Sequence, residues 1–416
     1  MNKALQIPAG WKEKRLKDVG KCLTGLTYTP KDVTDDSGLL VLRSSNVQGG
    51  KLVFDDNVYV KRDVNVKNYT QSGDILVCVR NGSSNLIGKN AIVTADGDGL
   101  PHGAFMMLFR SKHYQYLYQL FSSEMYNKQV YRNLGATINS INSSDFYKFR
   151  FLFPPLPEQK AIAALLSTWD EAIEKTERLI QAKEANLKGQ IQRIMGKEAI
   201  EVNGWSMVHL GELFSEVTRK VGEKELTPYS ISAGIGFVSQ REKWGKDISG
   251  SQHKNYTHLK AGEFSYNKGN SKRYQQGCVY LLKNGEICVP NVFISFKPKA
   301  KNVVPEFFEH YFIADYHARE LKRYITSGAR SDGLLNLNKK DFFKIMVPCP
   351  SPDEQKAIAE ALTASQQEID LLKQLADKYK TQKRGLMQKM LTGEWRVKSV
   401  IIDQFSEVSE GGAANE

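Results

Sequence analysis

The chain reads "PPLPEQKAIAALLSTWDEAI" over residues 154–173 and "CPSPDEQKAIAEALTASQQEI" over residues 349–369. The six letters EQKAIA stand at Glu158–Ala163 and again at Glu354–Ala359, an offset of 196 residues. The offset holds downstream, where Leu166 meets Leu362, Ile173 meets Ile369 and Lys188-Gly189 meets Arg384-Gly385. It holds upstream too, where Asn142, Asp145, Phe146 and Lys148 meet Asn338, Asp341, Phe342 and Lys344. A second anchor pairs "GWKEKRLKDV" from Gly10 with "GWSMVHLGEL" from Gly204, at an offset of 194. Between the anchors the copies diverge, with one faint echo: "GDILVCVRNGS" from Gly73 and "GEFSYNKGNS" from Gly262. The chain therefore reads as variable block, helix, variable block, helix.

The repeated stretch has the period of a coiled-coil seam. Ile162, Leu166, Trp169, Ile173, Thr176, Ile180, Leu187 and Ile194 follow steps of four and three, interrupted by Lys183 and Gln190. The second copy runs through Ile358, Leu362, Ser365, Ile369, Leu372, Ala376, Tyr379, Leu386 and Met390, interrupted by Lys383. A 3.5-residue period kept this long predicts two long helices. Each would be about 57 Å long for about 38 residues at 1.5 Å per residue. Ser351-Pro352-Asp353-Glu354 supplies a capping box for the second helix. Pro154, Pro155 and Pro157 stiffen the entry to the first, and Gly196 and Gly393 are placed to close the two. Antiparallel pairing would relate the two blocks by an approximate two-fold axis.

The blocks read as mixed α/β. "GLLVLRSSNVQGGKLVF" predicts two strands around Gly49-Gly50, and "GDILVCVR" and "NAIVTADGDGLPHGAFMMLFR" predict three more. "CVYLLKNGEICVPNVFISF" reads as a hairpin on Asn284-Gly285. Helical stretches at about Tyr114–Asn133 and Pro305–Ile325 each lead into a glycine loop. The expected organisation is a recognition block over 1–155, a spacer helix over 156–200, a second block over 201–350, a second spacer helix over 351–397 and a disordered acidic tail over 398–416.

With 416 residues, two to four domains are expected. The composition, 41% hydrophobic and 25% charged, is that of a globular protein. No apolar run reaches membrane-spanning length and the N-terminus lacks an apolar signal region, so a cytoplasmic location is expected. Five cysteines without a C-x-x-C pair predict neither structural zinc nor a disulfide framework. A net charge of +12 suits a polyanionic partner. Two different blocks on like helices would read two different half-sites of DNA, itself a near-two-fold object.

The two EQKAIA helices, the "GLMQKMLTGEW" that ends the second (Gly385–Trp395), the "GW…L" starts and the "GDIL…R.G" stretch resemble the specificity subunits of Type I restriction–modification systems. The resemblance covers the whole chain in architecture and nearly all of both helices in sequence. It implies two target recognition domains, each reading one half of an asymmetric bipartite DNA site. It implies helices that set the gap and dock two methyltransferase subunits, with restriction and translocase subunits joining the complex. S-adenosylmethionine, ATP and Mg2+ would belong to those partners, and this chain would hold no cofactor, metal or catalytic residue.

The candidate DNA-binding residues are polar and basic side chains on loops of the blocks: Arg43, Ser44, Asn46, Arg80, Asn81, Lys89, Thr137 and Asn139 in the first, and Arg241, Lys243, Asn267, Lys268, Lys272, Arg273, Tyr274, Arg330 and Ser331 in the second. Arg and Lys suit guanine edges, Asn suits adenine, and all suit phosphate. Each is set against a plain solvated surface residue. Pro352-Asp353 with Glu354-Gln355-Lys356 looks superficially like a nuclease metal site, but acids in a first helical turn cap it and complement its dipole. No Walker-type loop is present, and Gly97-Asp98-Gly99-Leu100 reads as a turn. His253 and His258 lack a third ligand. The alternatives are a coiled-coil interaction protein with two binding heads and a self-contained DNA-modifying enzyme.

Overall fold

The structure is a computed structural model that describes residues 7–134, 140–269, 271, 273–325 and 334–406. It forms two compact units, one of Met1–Thr176 with Leu375–Glu416, the other of Glu177–Gln374. The central helix, Leu156–Met195, and the C-terminal helix, Pro352–Leu391, have 40 residues each. Each unit thus holds one variable block and part of both helices.

In the first unit β1 (Lys12–Arg15) pairs antiparallel with β6 (Arg150–Phe153). A four-stranded antiparallel sheet follows the order β2 (Lys21–Thr24), β5 (Met106–Arg110), β3 (Ile75–Cys78), β4 (Asn90–Ile92). β3 and β5 are continuous apolar runs because both sheet faces are covered. Ile75, Val77, Met107 and Phe109 face an aromatic core with Phe121, Tyr126, Phe146 and Phe149. Leu76, Cys78, Met106 and Leu108 face a second cluster with Leu42 and Val47.

The second unit repeats this plan with unrelated residues. β7 (Ser206–His209) pairs with β12 (Met346–Cys349). Its sheet follows the order β8 (Phe214–Glu216), β11 (Ile294–Pro298), β9 (Phe264–Asn267), β10 (Cys278–Leu281). Phe214, Phe264, Phe296 and Phe312 interlock, edge to face except for the stacked pair Phe264–Phe296. The faint sequence echo proves structural. Asp74 and Glu263 each accept the amide N–H three residues upstream, at 2.8 Å in both copies. Each is bridged by an arginine, Arg110 at 2.8 Å and Arg219 at 2.7 Å, the first at the end of β5 and the second in the loop after β8. Beyond the sheet, Ile141 N–H donates to Val79 O and Leu335 N–H to Lys268 O, both at 2.9 Å, at equivalent places.

The repeated letters are the residues that join block to helix. Trp11 Nε1–H donates to Glu158 at 3.1 Å, and Trp205 Nε1–H donates to Glu354 at 3.2 Å. The next residues, Gln159 and Gln355, donate to Pro154 O and Pro350 O at 2.8 and 2.9 Å. Asn142 and Asn338 cap short helices by accepting the amide N–H of Asp145 and Asp341, each at 2.8 Å. Those aspartates pair with Lys148 and Lys344, whose hydrogen bonds hold both carboxyls below the usual range.

Within each unit the long helices run antiparallel. In the first, Glu158 meets Arg396 and Asp170 meets Lys383. In the second, Glu184 meets Lys373 and Gln190 lies 3.5 Å from Ser365. The seam residues Ile162, Leu166, Ile180, Leu187, Leu362 and Ile369 are buried, and Trp169, Ile173, Ile358, Leu372, Tyr379 and Leu386 are half-buried. Trp169 packs edge-on against Tyr379 at 5.8 Å. The interruptions are satisfied: Lys183 reaches Glu368 at 2.8 Å, and Lys383 reaches Asp170, which also accepts from Gln119 at 2.9 Å. The Ser351 capping box forms as expected.

Two expectations fail. The Asn284-Gly285 turn forms, with Gly285 at φ +72°, but it joins no hairpin. Cys278–Leu281 pairs with β9, whereas Glu286–Val289 pairs with Thr257–Lys260, because both flanking runs are apolar enough to enter separate layers. The segment from 398 is also not loose throughout. Ser399–Asp403 is helical, and Ile402 and Phe405 pack on the first core.

Glu158 is 1% exposed, whereas Glu354 is exposed. Arg396 donates to Glu158 from Nε at 2.6 Å and Nη2 at 2.8 Å, a pairing Glu354 lacks among the described residues. Replacing Glu158 by Ala should cost about 2–3 kcal/mol, because it strands the Trp11 N–H and the guanidinium. Glu354→Ala should cost distinctly less. Urea unfolding of the two variants checks this order.

Candidate nucleic-acid interface

In the first block a short turn after Leu42 brings the candidates together. Ser44–Asn46 is one 3-10 turn. Asn46 is fully buried. Its carbonyl accepts Arg43 N–H at 2.9 Å, and its amide donates to Val53 O at 3.0 Å and Asn57 Oδ1 at 3.1 Å. It therefore holds the loop and presents nothing to a ligand, contrary to the expectation of a contact. Its neighbours do face solvent. Leu26–Tyr28, Arg43, Ser44, Asn81 and Gly103–Met106 line one groove. Ser44, Ser45, Gln48, Gly49, Asp56, Leu86 and Lys89 line a second, so Ser44 belongs to both. Asn81 donates to Ser44 Oγ at 3.2 Å, and Lys89 Nζ lies 3.5 Å from Ser44 O. The hairpin Val47–Gln48 with Lys51–Leu52 borders the second groove. Tyr118 donates to Gly50 O at 3.2 Å and Lys51 pairs with Glu174, which ties this hairpin to the central helix.

Three of the second block's candidates, Lys243, Asn267 and Arg273, converge on the Tyr229–Ser232 strand and the turn after it. Lys243 Nζ lies 3.4 Å from both Ser230 Oγ and Ile231 O. Asn267 donates to Ile231 O at 3.2 Å and accepts Gly269 N–H at 2.9 Å. Arg273 packs against Gly234, and Arg241 is exposed on the same helix as Lys243, Gln240–Trp244. Lys268 is half-buried beside them, its carbonyl taken by Leu335 N–H. Tyr274 departs from expectation. It is 3% exposed and donates to Ile313 O at 3.3 Å, so its ring serves the core and carries the Arg273 guanidinium at 5.4 Å. Thr137, Asn139, Lys272, Arg330 and Ser331 lie outside the described residues.

Burial pushes the Cys78 thiol up, away from the reactive thiolate, and pushes the Lys243 ammonium and the His102 imidazole down. Among the described residues no group of three His, Cys, Asp or Glu side chains is spaced for a metal ion. His253 lies 2.7 Å from Leu226 O and His258 2.7 Å from Glu286.

Sequence reading missed two exposed aromatics. Phe105 is 56% exposed on the rim of the first groove, under the Arg80 guanidinium at 5.7 Å. Trp244 is 43% exposed, under the Lys243 ammonium at 4.8 Å. Basic residues interleaved with an aromatic in "REKWGK" were a usable signal for Trp244. Phe105 was concealed by the apolar run "AFMMLFR", of which it is the one exposed large side chain.

A family model described as Type I restriction modification DNA specificity domain matches residues 8–184 and again residues 203–380. The chain is 26% identical to a Methanocaldococcus jannaschii protein that bears the name of a type I restriction enzyme MjaX specificity subunit, over 95% of this chain and 96% of that one. It is 24% identical to the type I restriction enzyme EcoKI specificity subunit of Escherichia coli K12, over 95% and 92%. A crystal structure of the S subunit of a Type-I restriction-modification system from M. genitalium superposes with a TM-score of 0.58 at 16% identity, covering 94% of this chain and 98% of that one.

The two candidate asparagines of the first block should behave oppositely. Asn46→Ala removes a buried hub and should cost about 1–3 kcal/mol. Asn81→Ala should change stability by no more than about 0.5 kcal/mol. Thermal unfolding of both variants separates the loop's scaffold from its surface.

Proposed function

The chain belongs to the Type I restriction modification DNA specificity domain family, and from that premise we propose that it reads an asymmetric, split DNA sequence on behalf of enzymes that do the chemistry. The observation that carries this reading is the same fold built twice on the same Trp–Glu frame with unrelated polar surfaces. A protein that bound one ligand twice would keep its two surfaces alike. Here the frame is kept and the surfaces differ, as two half-sites of different sequence require.

The roles divide by element. Arg43, Ser44, Asn81, Lys89 and Arg80 contact one half-site, and Arg241, Lys243, Asn267 and Arg273 contact the other. Most basic groups neutralise phosphates, while polar groups and a few of the basic ones meet base edges, so affinity falls steeply with salt and selectivity resides in few contacts. The two 40-residue helices hold the gap and offer outward faces to two methyltransferase subunits. Restriction subunits join the same complex. S-adenosylmethionine, ATP and Mg2+ belong to those partners, and this chain contributes no catalytic group. Such a complex works in the cytoplasm, where the DNA is.

Adenine methylation mapped across the genome of a host without its own system, with this chain and its cognate methyltransferase subunit co-expressed, tests the reading. The expected result is one split motif with two different halves and a fixed gap. A continuous or palindromic motif, or none from an assembled DNA-binding complex, overturns it.

A further inference from the structure

We propose that Arg80 is a specificity-determining residue that reads a guanine in the half-site of the first block, and that Phe105 is the positioning residue that aims it. This rests on the functional reading above and adds to it a named base and a named pair of side chains.

The main chain of both residues is pinned. Val79 N–H and Arg80 N–H both donate to Phe105 O, at 2.9 and 3.2 Å. Val79 O in turn accepts Ile141 N–H at 2.9 Å, and Arg80 bridges to Ser140. Arg80 thus lies just past the end of β3, held from two sides, at the lip of the groove that Phe105 and Asn81 line.

The side chains then have one consistent use. Arg110 and Arg150 in the same block spend their guanidinium groups on Asp74 and Glu13. Among the described residues none accepts a hydrogen bond from the Arg80 guanidinium, which lies over the Phe105 ring with its five donors turned to no protein partner there. A guanidinium held near the face of a ring is limited in where it can go while its N–H groups remain open. Its planar fork matches guanine O6 and N7, the commonest specific contact in the major groove. The same fork can also clamp a phosphate, and the two contacts differ in what they do to the motif, since only the base contact selects a sequence. In the second block the guanidinium of Arg273 lies over the buried ring of Tyr274, and the exposed aromatic, Trp244, carries an ammonium, which has charge but no fork. Phe105 is left 56% exposed on the rim of the groove, where its face is open to the guanidinium.

The test maps methylation motifs for the assembled complex carrying Arg80→Lys, Arg80→Ala, Phe105→Ala and Phe105→Trp. Arg80→Lys keeps the charge and removes the fork. It should relax one guanine position in one half-site, with discrimination there falling roughly ten- to hundredfold, while the other half-site and the gap stay as they were. Arg80→Ala should relax the same position. Phe105→Ala should relax it partly, and Phe105→Trp, which restores a stacking face, should keep it. If both Arg80 variants lower methylation evenly at all sites and leave the motif intact, Arg80 is a phosphate contact and the proposal is overturned. The proposal also falls if Phe105→Ala acts at a different position from Arg80→Lys. A wild-type complex without a split motif would instead overturn the functional reading, and this proposal with it.

Discussion

An indole N–H that donates to a glutamate at the first turn of a long helix occurs twice in this chain, and much else depends on it. Trp11 with Glu158 and Trp205 with Glu354 fix where each block meets its helix. The glutamine that follows turns its amide onto a proline carbonyl and fixes the angle of entry. Each bond alone is modest, about 1 kcal/mol. Their value is geometric. Strands β1 and β7 begin directly after the tryptophans and pair with β6 and β12, which lead into the helices. Every block residue is therefore referred to one fixed joint, and the surface beyond it can change without moving the joint.

The two copies of the joint differ in one respect. At the first, Arg396 arrives from beyond the C-terminal helix, grips the buried Glu158 with two hydrogen bonds and donates to Ala9 O at 3.1 Å. The guanidinium lies 5.6 Å from the Trp11 ring centroid. At the second, hydrogen bonds from Ser351 first and then Trp205 hold the exposed Glu354 carboxyl below its usual range. The chain's last segment thus does for the first joint what a local cap does for the second. This also explains why residues 398–406 are ordered where composition predicted disorder. A short apolar pair, Ile402 and Phe405, was enough to dock them.

The frame was legible because it was written twice in letters with few physical alternatives. A Trp, a Glu-Gln pair and an Asn-x-x-Asp cap each need particular donors and acceptors, so the two copies kept them. The seam was legible for a similar reason, since burial enforces its period. The interior of the blocks was less so. An apolar run can enter any buried sheet, and Asn284-Gly285 gave a turn without saying which strands it joined. The interface was the least legible. Asn46 and Tyr274 look like contacts in sequence and are structural in space, because a polar side chain inside a loop serves the loop first. Phe105 looks like core and lies on the rim. Composition cannot separate these cases, since they differ only in which way a side chain points.

The central claim is that the two blocks are independent readers on one shared frame. The most direct measurement exchanges residues 1–155 for the corresponding block of a relative with a different known motif, and maps adenine methylation with the same methyltransferase subunit. The account predicts that one half of the motif changes to the donor's, while the other half and the gap stay fixed. A change in both halves, or in the gap, would show that the blocks are coupled through the frame and would contradict the account.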